Sequence, residues 1–431
     1  MEVGMRLKAL ILAAGYGTRL HPLTQHRPKA MIPLLGKPML HHVIDTVREA
    51  GMKDIVLVVG HFREQIEAYF GKGEDLGVTI CYSEQAEPKG EYDAVLAAKD
   101  RLADEDRFLM TDCDIITTPE RFKATLKAAK SSEMALSLFE VPNPWQFGVV
   151  ALEGTEITTI VEKPKKGTEP SNLAVAGVYV FNYAIFDILR KTQDLEVGIQ
   201  KLIDEGHTVH GSHSKDPWVD VGRTWNILEA SPILFDRLRQ QKGDPIHPTA
   251  TVSDSAHLSG DVWIGPQARV FPGAALVGPV YIGPNAIVGN NCLIRDHVVI
   301  DQGARAGFSC EVRNTVMLPE SRIGHLAFVG DSILGFDVEI GASVVLANYR
   351  FDGSEVQVML GGQLVSTHTD KFGTVIGDAS KIGCGVVVLP GRTIGYNSWI
   401  DPSIVVQRDV PDNTHVKLRQ TTTEDHRKAP T

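Results

Sequence analysis

At 431 residues, with 43% hydrophobic and 22% charged side chains, the chain has ordinary globular composition and room for two or three domains. A net charge of −10 argues against nucleic acid as the main ligand, because phosphate-backbone binders need a basic face, but it leaves room for a small phosphorylated ligand in a local basic pocket. Cysteines at 81, 113, 292, 310 and 384 show neither close pairing nor metal-ligand spacing, no cationic leader precedes a cleavable apolar region, and the longest apolar runs are too short for a bilayer; together these predict reduced thiols in a soluble cytoplasmic protein with no membrane partner.

Residues 6–230 alternate short apolar runs with amphipathic stretches. The runs 7–13, 55–60, 78–82, 108–111, 134–141 and 175–181 predict strands. Residues 38–50 predict a helix with Met39, Leu40, Val43, Ile44 and Val47 on one face and Gly51 at its end. Residues 93–101 and 197–204 predict two more. Such alternation predicts a mostly parallel sheet covered on both faces, with a ligand crevice at the carboxyl ends of its strands. A connecting helix is expected over 225–241, and Gly243-Asp244-Pro245 reads as a break.

Beyond the break the period changes. Ile246, Val252, Leu258, Ile264, Val270, Leu276, Ile282, Val288, Ile294 and Ile300 keep a strict six-residue register. Chance gives such a run about once per million starting points, and the period fits neither an α-helix nor an ordinary sheet. It is the hexapeptide repeat of a parallel β-helix, in which each aliphatic stacks on its counterpart one coil along. Ala250, Ala256, Ala268, Ala274, Ala286 and Ala304 hold a second position, expected at tight corners. The register returns at Ile376, Ile382, Val388, Ile394, Ile400 and Val406, and is lost between Gln302 and Val375. There, 350–370 predicts a projecting loop, and the tail from Gln407 is expected to fray towards Thr431.

The strand 7–13 runs into Ala14-Gly15-Tyr16-Gly17-Thr18-Arg19, where two glycines let backbone N–H groups approach phosphate and Arg19 adds a fork of donors. Alone this is also an ordinary structural turn, lacking the Gly-Lys-Ser/Thr of a P-loop and the third glycine of a dinucleotide fingerprint. The longer string adds Pro22-Leu23-Thr24, Arg27-Pro28-Lys29-Ala30-Met31-Ile32-Pro33 and Gly36-Lys37-Pro38. Through it, residues 6–235 resemble the sugar-1-phosphate nucleotidylyltransferases. The resemblance implies an α/β Rossmann-like nucleotidyltransferase domain over 5–235, acting on a nucleoside triphosphate and a sugar 1-phosphate. It implies that Arg19 and Lys29 meet the nucleotide phosphates, and that Ala13, Ala14, Gly15, Gly17, Thr18, Gln85 and Gly90 line the nucleotide, with Pro88 in the stretch that reads the base. Asp112 and Asp220 match the ligands of Mg²⁺, and Gly148, Glu162, Lys163 and Val175 match the sugar-phosphate site. Asp114 has no counterpart assigned. In-line attack of one anion on another needs charge neutralisation and alignment rather than a covalent nucleophile.

Two departures bear on specificity. Glu91, in Gly90-Glu91-Tyr92-Asp93-Ala94, stands where many members have threonine, which leaves UTP and dTTP both open. Val175 stands where members that take N-acetylglucosamine 1-phosphate have asparagine, which resembles the glucose-1-phosphate thymidylyltransferases and tilts the sugar towards glucose 1-phosphate.

The order of the two halves resembles the bifunctional N-acetylglucosamine-1-phosphate uridylyltransferases/glucosamine-1-phosphate acetyltransferases, archaeal type. The residues that carry this are Gly324-His325-Leu326-Ala327-Phe328-Val329-Gly330-Asp331, Leu346-Ala347-Asn348-Tyr349 and Lys371-Phe372-Gly373-Thr374. The resemblance implies a left-handed β-helix over 246–410, after a linker at 236–245 and before a tail at 411–431. It implies a homotrimer with acetyl-CoA as cosubstrate and His325 as general base, since an imidazole titrates near neutral pH. Asn348, Tyr349 and Lys371 would surround the amino sugar, with Phe328 beside them and Arg295 and Arg313 on its phosphate. Arg313 replaces a usual lysine, Phe328 a tyrosine and Glu339 an asparagine. A nucleotidylyltransferase whose β-helix only trimerises or regulates is the competing reading. A non-catalytic scaffold is a third, with little reason to keep Arg19, Lys29, Asp112 and Asp220 together.

Overall fold

The computed structural model describes residues 7–87, 89–240 and 243–423; Pro88, Gln241 and the end of the tail lie outside the described residues. The chain divides into two compact units, Met1–Lys242 and Gly243–Thr431.

In the first unit the apolar runs pair into one nine-stranded sheet. Ala9–Leu12, buried along its whole length, lies parallel to both Asp54–Val59 and Arg107–Asp112, and Thr79–Glu84 extends this parallel half. The expectation of a mostly parallel sheet fails beyond Arg107–Asp112. Leu173–Asn182 pairs antiparallel with Arg107–Asp112 and with Met134–Glu140. Past Val209–His213, Glu156–Glu162 and Gly148–Glu153 close the edge as an antiparallel hairpin. The connection Gly154-Thr155 is too short for a crossover, so only a hairpin is possible there.

Met39–Glu49 buries the five apolar residues its spacing marked. The helix expected from residue 197 begins earlier, at Leu195, because the Asp194 side chain accepts the Val197 N–H at 2.9 Å. The one expected over 93–101 is Glu91–Ala97 followed by a tighter turn, Lys99–Leu102. Asn226–Gln240 carries helix into the segment expected as linker. Among the described residues no helix is long and apolar enough to cross a membrane.

His42 gives this unit a pH dependence. Its Nε2 faces the Leu34 carbonyl at 2.7 Å, and burial, opposed by that bond and helped by Arg237 and Lys37, lowers its pKa to about 4. The unfolded chain therefore binds this proton at higher pH than the folded one, and stability present above pH 6.5 is lost as pH falls towards about 4. Calorimetry from pH 7 to 4 should show the first unit's Tm falling across that window, with a shallower fall in His42→Gln. Equal slopes would remove His42 from the account.

The second unit is a left-handed parallel β-helix of three sheets, each coil giving one strand to each. Val252, Val270, Val288 and Ala306 stack at 18-residue steps. Burying each such aliphatic contributes roughly 1.5–3 kcal/mol, which is why the repeat is so regular. The expected loss of register after Gln302 is not a break in the coil. Ala306 pairs with Ile323 and Ile323 with Ile340, at 17-residue steps, so each coil drops one residue while stacking continues. A real insertion follows Leu346, carrying the hairpin Gln357–Leu360 and Gln363–Ser366 inside the expected loop. At the far end His415–Val416 pairs with Trp399–Ile400, so coil structure reaches into the expected tail. Ala268, Ala274, Ala286 and Ala304 are fully buried at corners, as their spacing suggested. All five cysteines are free. Cys292 and Cys310, 18 residues and so one coil apart, donate instead to the Gly307 and Gly324 carbonyls, each at 2.7 Å.

Candidate active site

A cavity of about 600 Å³ opens in the first unit at the carboxyl ends of its parallel strands. Leu12 and Asp112 end two of those strands, and Gln85 follows a third. Of the residues expected there, Ala14, Gly15, Arg19, Lys29, Gln85, Gly90, Asp112, Gly148, Glu162, Lys163 and Asp220 line it. Ala13, Gly17, Thr18 and Val175 do not. Ala13 is buried, its N–H held by the Val58 carbonyl at 2.8 Å. Gly17 shapes the loop from behind: its φ is +65°, and a Cβ there would sit 3.0 Å from Lys29 Cβ. Thr18 opens the short turn that carries Arg19. Val175 is half-buried and packs against the core.

Charge organises this cavity. Lys29 Nζ donates to Asp114 Oδ2 at 2.5 Å, and although burial alone would lower its pKa, Asp114 and Asp112 hold it well above the usual lysine range. Asp112 is pushed up to about 7 by burial and by Asp114, and Asp220 to about 6 by the same two causes. Glu196, at the start of the Asp194-capped helix, rises to about 7 through burial and Glu162. Glu91 rises well above the carboxylate range through burial, Asp112 and Glu196, and its Oε1 is buried without a hydrogen bond. Carboxylates that repel one another into holding protons mark a site short of positive charge. A divalent cation fits that deficit at Asp112 and Asp220, since Mg²⁺ needs only one or two carboxylates besides substrate phosphates. Arg223 lines the same cavity, with burial and then Arg19 lowering its pKa, so two guanidiniums face one space.

Glu196 and Arg223 were missed from the sequence, and Asp114 was noted there but given no role. Asp114 and Arg223 lie within three residues of Asp112 and Asp220, and a charge count along those two motifs would have flagged them. Glu196 does not line the cavity; it lies far from any motif, and only the fold sets it beside Gly148 and Glu162.

In the second unit, Leu293–Arg295, Glu311–Arg313 and Phe328–Gly330 are successive rungs of one sheet, with Arg295 beside Arg313 and Arg313 beside Gly330. A Cβ on Gly330 would lie 2.6 Å from Asn348 Nδ2 and 2.9 Å from Phe328 Cζ, which gathers these side chains around one backbone position. Asn348 donates to Asp331, and Tyr349 bridges to Lys371. Arg295 pairs with Glu311 at 2.7 Å and Asp296 at 2.6 Å; Arg313 reaches Asp296 at 3.4 Å and keeps a buried Nε without an acceptor. Glu339 is on a different sheet, between Arg322 at 3.7 Å and Lys381 at 3.4 Å, so its charge is compensated there. His325 stands exposed at the corner before Phe328, its Nδ1 accepting the Phe308 N–H at 3.1 Å.

The Nucleotidyl transferase family profile matches residues 8–237, and the GMPPB C-terminal domain profile matches residues 276–369. The chain is 37% identical over 421 residues to the Bifunctional protein GlmU of Methanocaldococcus jannaschii, covering 96% of this chain and 98% of that protein. It is 40% identical over 418 residues to the protein of that name from Methanococcus maripaludis strain C7, covering 95% and 97%. A Bifunctional sugar-1-phosphate nucleotidylyltransferase/acetyltransferase of Sulfurisphaera tokodaii is 34% identical over 413 residues, covering 94% and 98%.

Proposed function

Because the chain belongs to the nucleotidyl transferase family in its bifunctional, acetyltransferase-fused form, we propose that it joins a nucleoside triphosphate to a sugar 1-phosphate in the first unit and acetylates glucosamine 1-phosphate in the second. The observation that carries the first activity is the cavity in which Arg19, Lys29 and Arg223 share space with Asp112 and Asp220. A scaffold-only role for the β-helix is not favoured, since the likeness to bifunctional relatives runs through both units.

In the first reaction a phosphate oxygen of the sugar ester attacks the α-phosphorus, the new P–O bond forms, and pyrophosphate leaves. Mg²⁺ held by Asp112 and Asp220 would supply charge neutralisation at the triphosphate. Arg19 and Arg223 bind the phosphates from the rim, and Lys29 adds a third cation once phosphate competes with Asp114 for it. Gln85 and Gly90 take the base of UTP or dTTP. Gly148, Glu162 and Lys163 orient the sugar, glucose or N-acetylglucosamine 1-phosphate. Pyrophosphate release crossing UTP, dTTP, ATP, CTP and GTP with glucose, N-acetylglucosamine and mannose 1-phosphates tests this. A matrix with no activity would sink it.

Lys163 is two-thirds exposed and paired with Glu162. Lys163→Ala should raise KM for the sugar phosphate about tenfold and leave that for the triphosphate within about twofold, because one charge-assisted contact is lost. The opposite split would mean the acceptor site lies elsewhere.

In the second reaction the amine attacks the acetyl-CoA carbonyl carbon, a C–N bond forms, the C–S bond breaks, and the amine proton passes to His325. Asn348, Tyr349 and Lys371 surround the amino sugar beside Phe328, and Arg295 and Arg313 meet its phosphate. We further propose a homotrimer, assembled through the β-helix, in the cytoplasm.

A further inference from the structure

Arg121 is fully buried, and the Asp216 carboxylate attracts it from a distance while burial opposes its charge. Its five N–H groups are spent on neutral acceptors. Nε donates to Thr117 Oγ1 at 3.2 Å, and Nη1 to Ser137 Oγ at 3.0 Å and the Leu138 carbonyl at 3.2 Å. Nη2 donates to the Asp216 carbonyl at 2.5 Å and the Ser214 carbonyl at 3.4 Å, and the guanidinium sits 5.3 Å from the Phe139 ring centre. Burying a cation whose direct acceptors are all neutral is costly, and an apolar side chain of similar volume would pack the same space without that cost. What Arg121 grips therefore matters more than that it is buried.

It grips one end of a two-stranded ribbon. Ile115–Thr117 pairs antiparallel with Trp218–Asp220, with Thr117 opposite Trp218 and Ile115 opposite Asp220. Thr117 Oγ1 also donates to the Pro217 carbonyl at 2.7 Å, and the Val221 N–H donates to the Asp114 carbonyl at 3.0 Å. Arg121 thus ties the exit of the first strand, through Thr117, to the entry of the second, through residues 214–216. At the other end of the same ribbon, Asp220 closes one strand, and the turn that enters its partner follows Asp112, the last residue of Arg107–Asp112, and contains Asp114. A one-residue slip between the strands would turn Asp220 to the opposite face.

We infer that Arg121 is a positioning residue that fixes the register of this ribbon, and through it the separation of Asp112 and Asp220 on which divalent-cation affinity depends. The inference rests on the metal assignment proposed above. Mn²⁺ alone serves as the probe, with binding to the full-length protein followed by the paramagnetic resonance of free Mn²⁺. Arg121→Met should weaken Mn²⁺ binding about 10- to 100-fold, in the range found when groups that orient metal ligands are lost. Arg121→Lys, with three donors for five acceptors, should fall between it and the wild type. Raising Mg²⁺ should restore pyrophosphate release in Arg121→Met, which a general loss of packing would not allow, and thiol release by the second unit should stay unchanged. A folded Arg121→Met with wild-type Mn²⁺ affinity would overturn the inference and leave the metal assignment standing. Wild-type affinity in Asp220→Asn would overturn both. Should Arg121→Met not fold, Thr117→Val removes the Nε acceptor and the Pro217 bond together; unchanged affinity there would equally end the idea.

Discussion

Asp112→Asn is expected to lower nucleotidyl transfer by at least about a thousandfold while making the first unit no less stable at neutral pH. The two halves of this expectation come from the same charges. Burial and Asp114 raise the Asp112 carboxyl to about 7 in the folded protein, against 3.8 for the ordinary group. The folded state thus binds a proton that the unfolded state has released, and stability falls as pH rises from about 4 through 7. An amide of the same shape carries no charge to repel Asp114 or Asp220, so the variant escapes that penalty. It also loses the ligand. Thermal melts at pH 8 should show Asp112→Asn at or above the wild-type Tm. Added Mg²⁺ should raise the Tm of the wild type and leave that of the variant unmoved, because a bound ligand stabilises only the state that binds it. Function and stability pull against each other here, as they do where a site is built to hold charge. Undiminished pyrophosphate release would remove Asp112 from the metal site, and a shared Mg²⁺ response would move the metal elsewhere.

What the sequence disclosed follows the range over which each signal acts. The six-residue period is local and repeated, so ten aliphatics from Ile246 to Ile300 announce the β-helix without any tertiary information. Its apparent end at Gln302 was misleading because a coil can drop one residue at a corner without losing its stack, as Ala306, Ile323 and Ile340 show. The parallel strands around Ala9–Leu12 were equally legible as apolar runs. Gly148–Glu153 and Glu156–Glu162 were not, because they end at a sheet edge with a partly exposed, mixed-polarity pattern. Within the site, residues carried by a contiguous motif were found and residues delivered by the fold were not. Lys29 is in a motif, but its partner Asp114, 85 positions away, acquires meaning only when the sheet sets the two side by side. Glu196 comes up behind the cavity residue Gly148 from a helix that an Asp194 cap starts. Val175 shows the converse, a motif position that lies against the core rather than in the cavity wall.

His325→Ala is expected to lower acetyl-CoA-dependent thiol release with glucosamine 1-phosphate by about 10²- to 10⁴-fold, the usual contribution of a positioned general base, without altering pyrophosphate release. The free geometry makes the role of this ring testable in more detail. With Nδ1 accepting the Phe308 N–H, the neutral ring carries its proton on Nε2. A ring in that tautomer donates from Nε2 and has no lone pair for an amine proton. To act as a base, His325 must surrender the Phe308 bond when the amino sugar binds, turning a free nitrogen towards it, a step open to an exposed ring. Held as it is, it would instead hydrogen-bond the thioester oxygen as charge develops there. His325→Gln separates the two roles, because an amide can donate a hydrogen bond but cannot carry off a proton. General-base action requires Gln to be as inactive as Ala. A Gln variant within about tenfold of the wild type would show that the imidazole works by stabilising the oxyanion, since one such donor is worth about 10²–10³ and a glutamine can replace it.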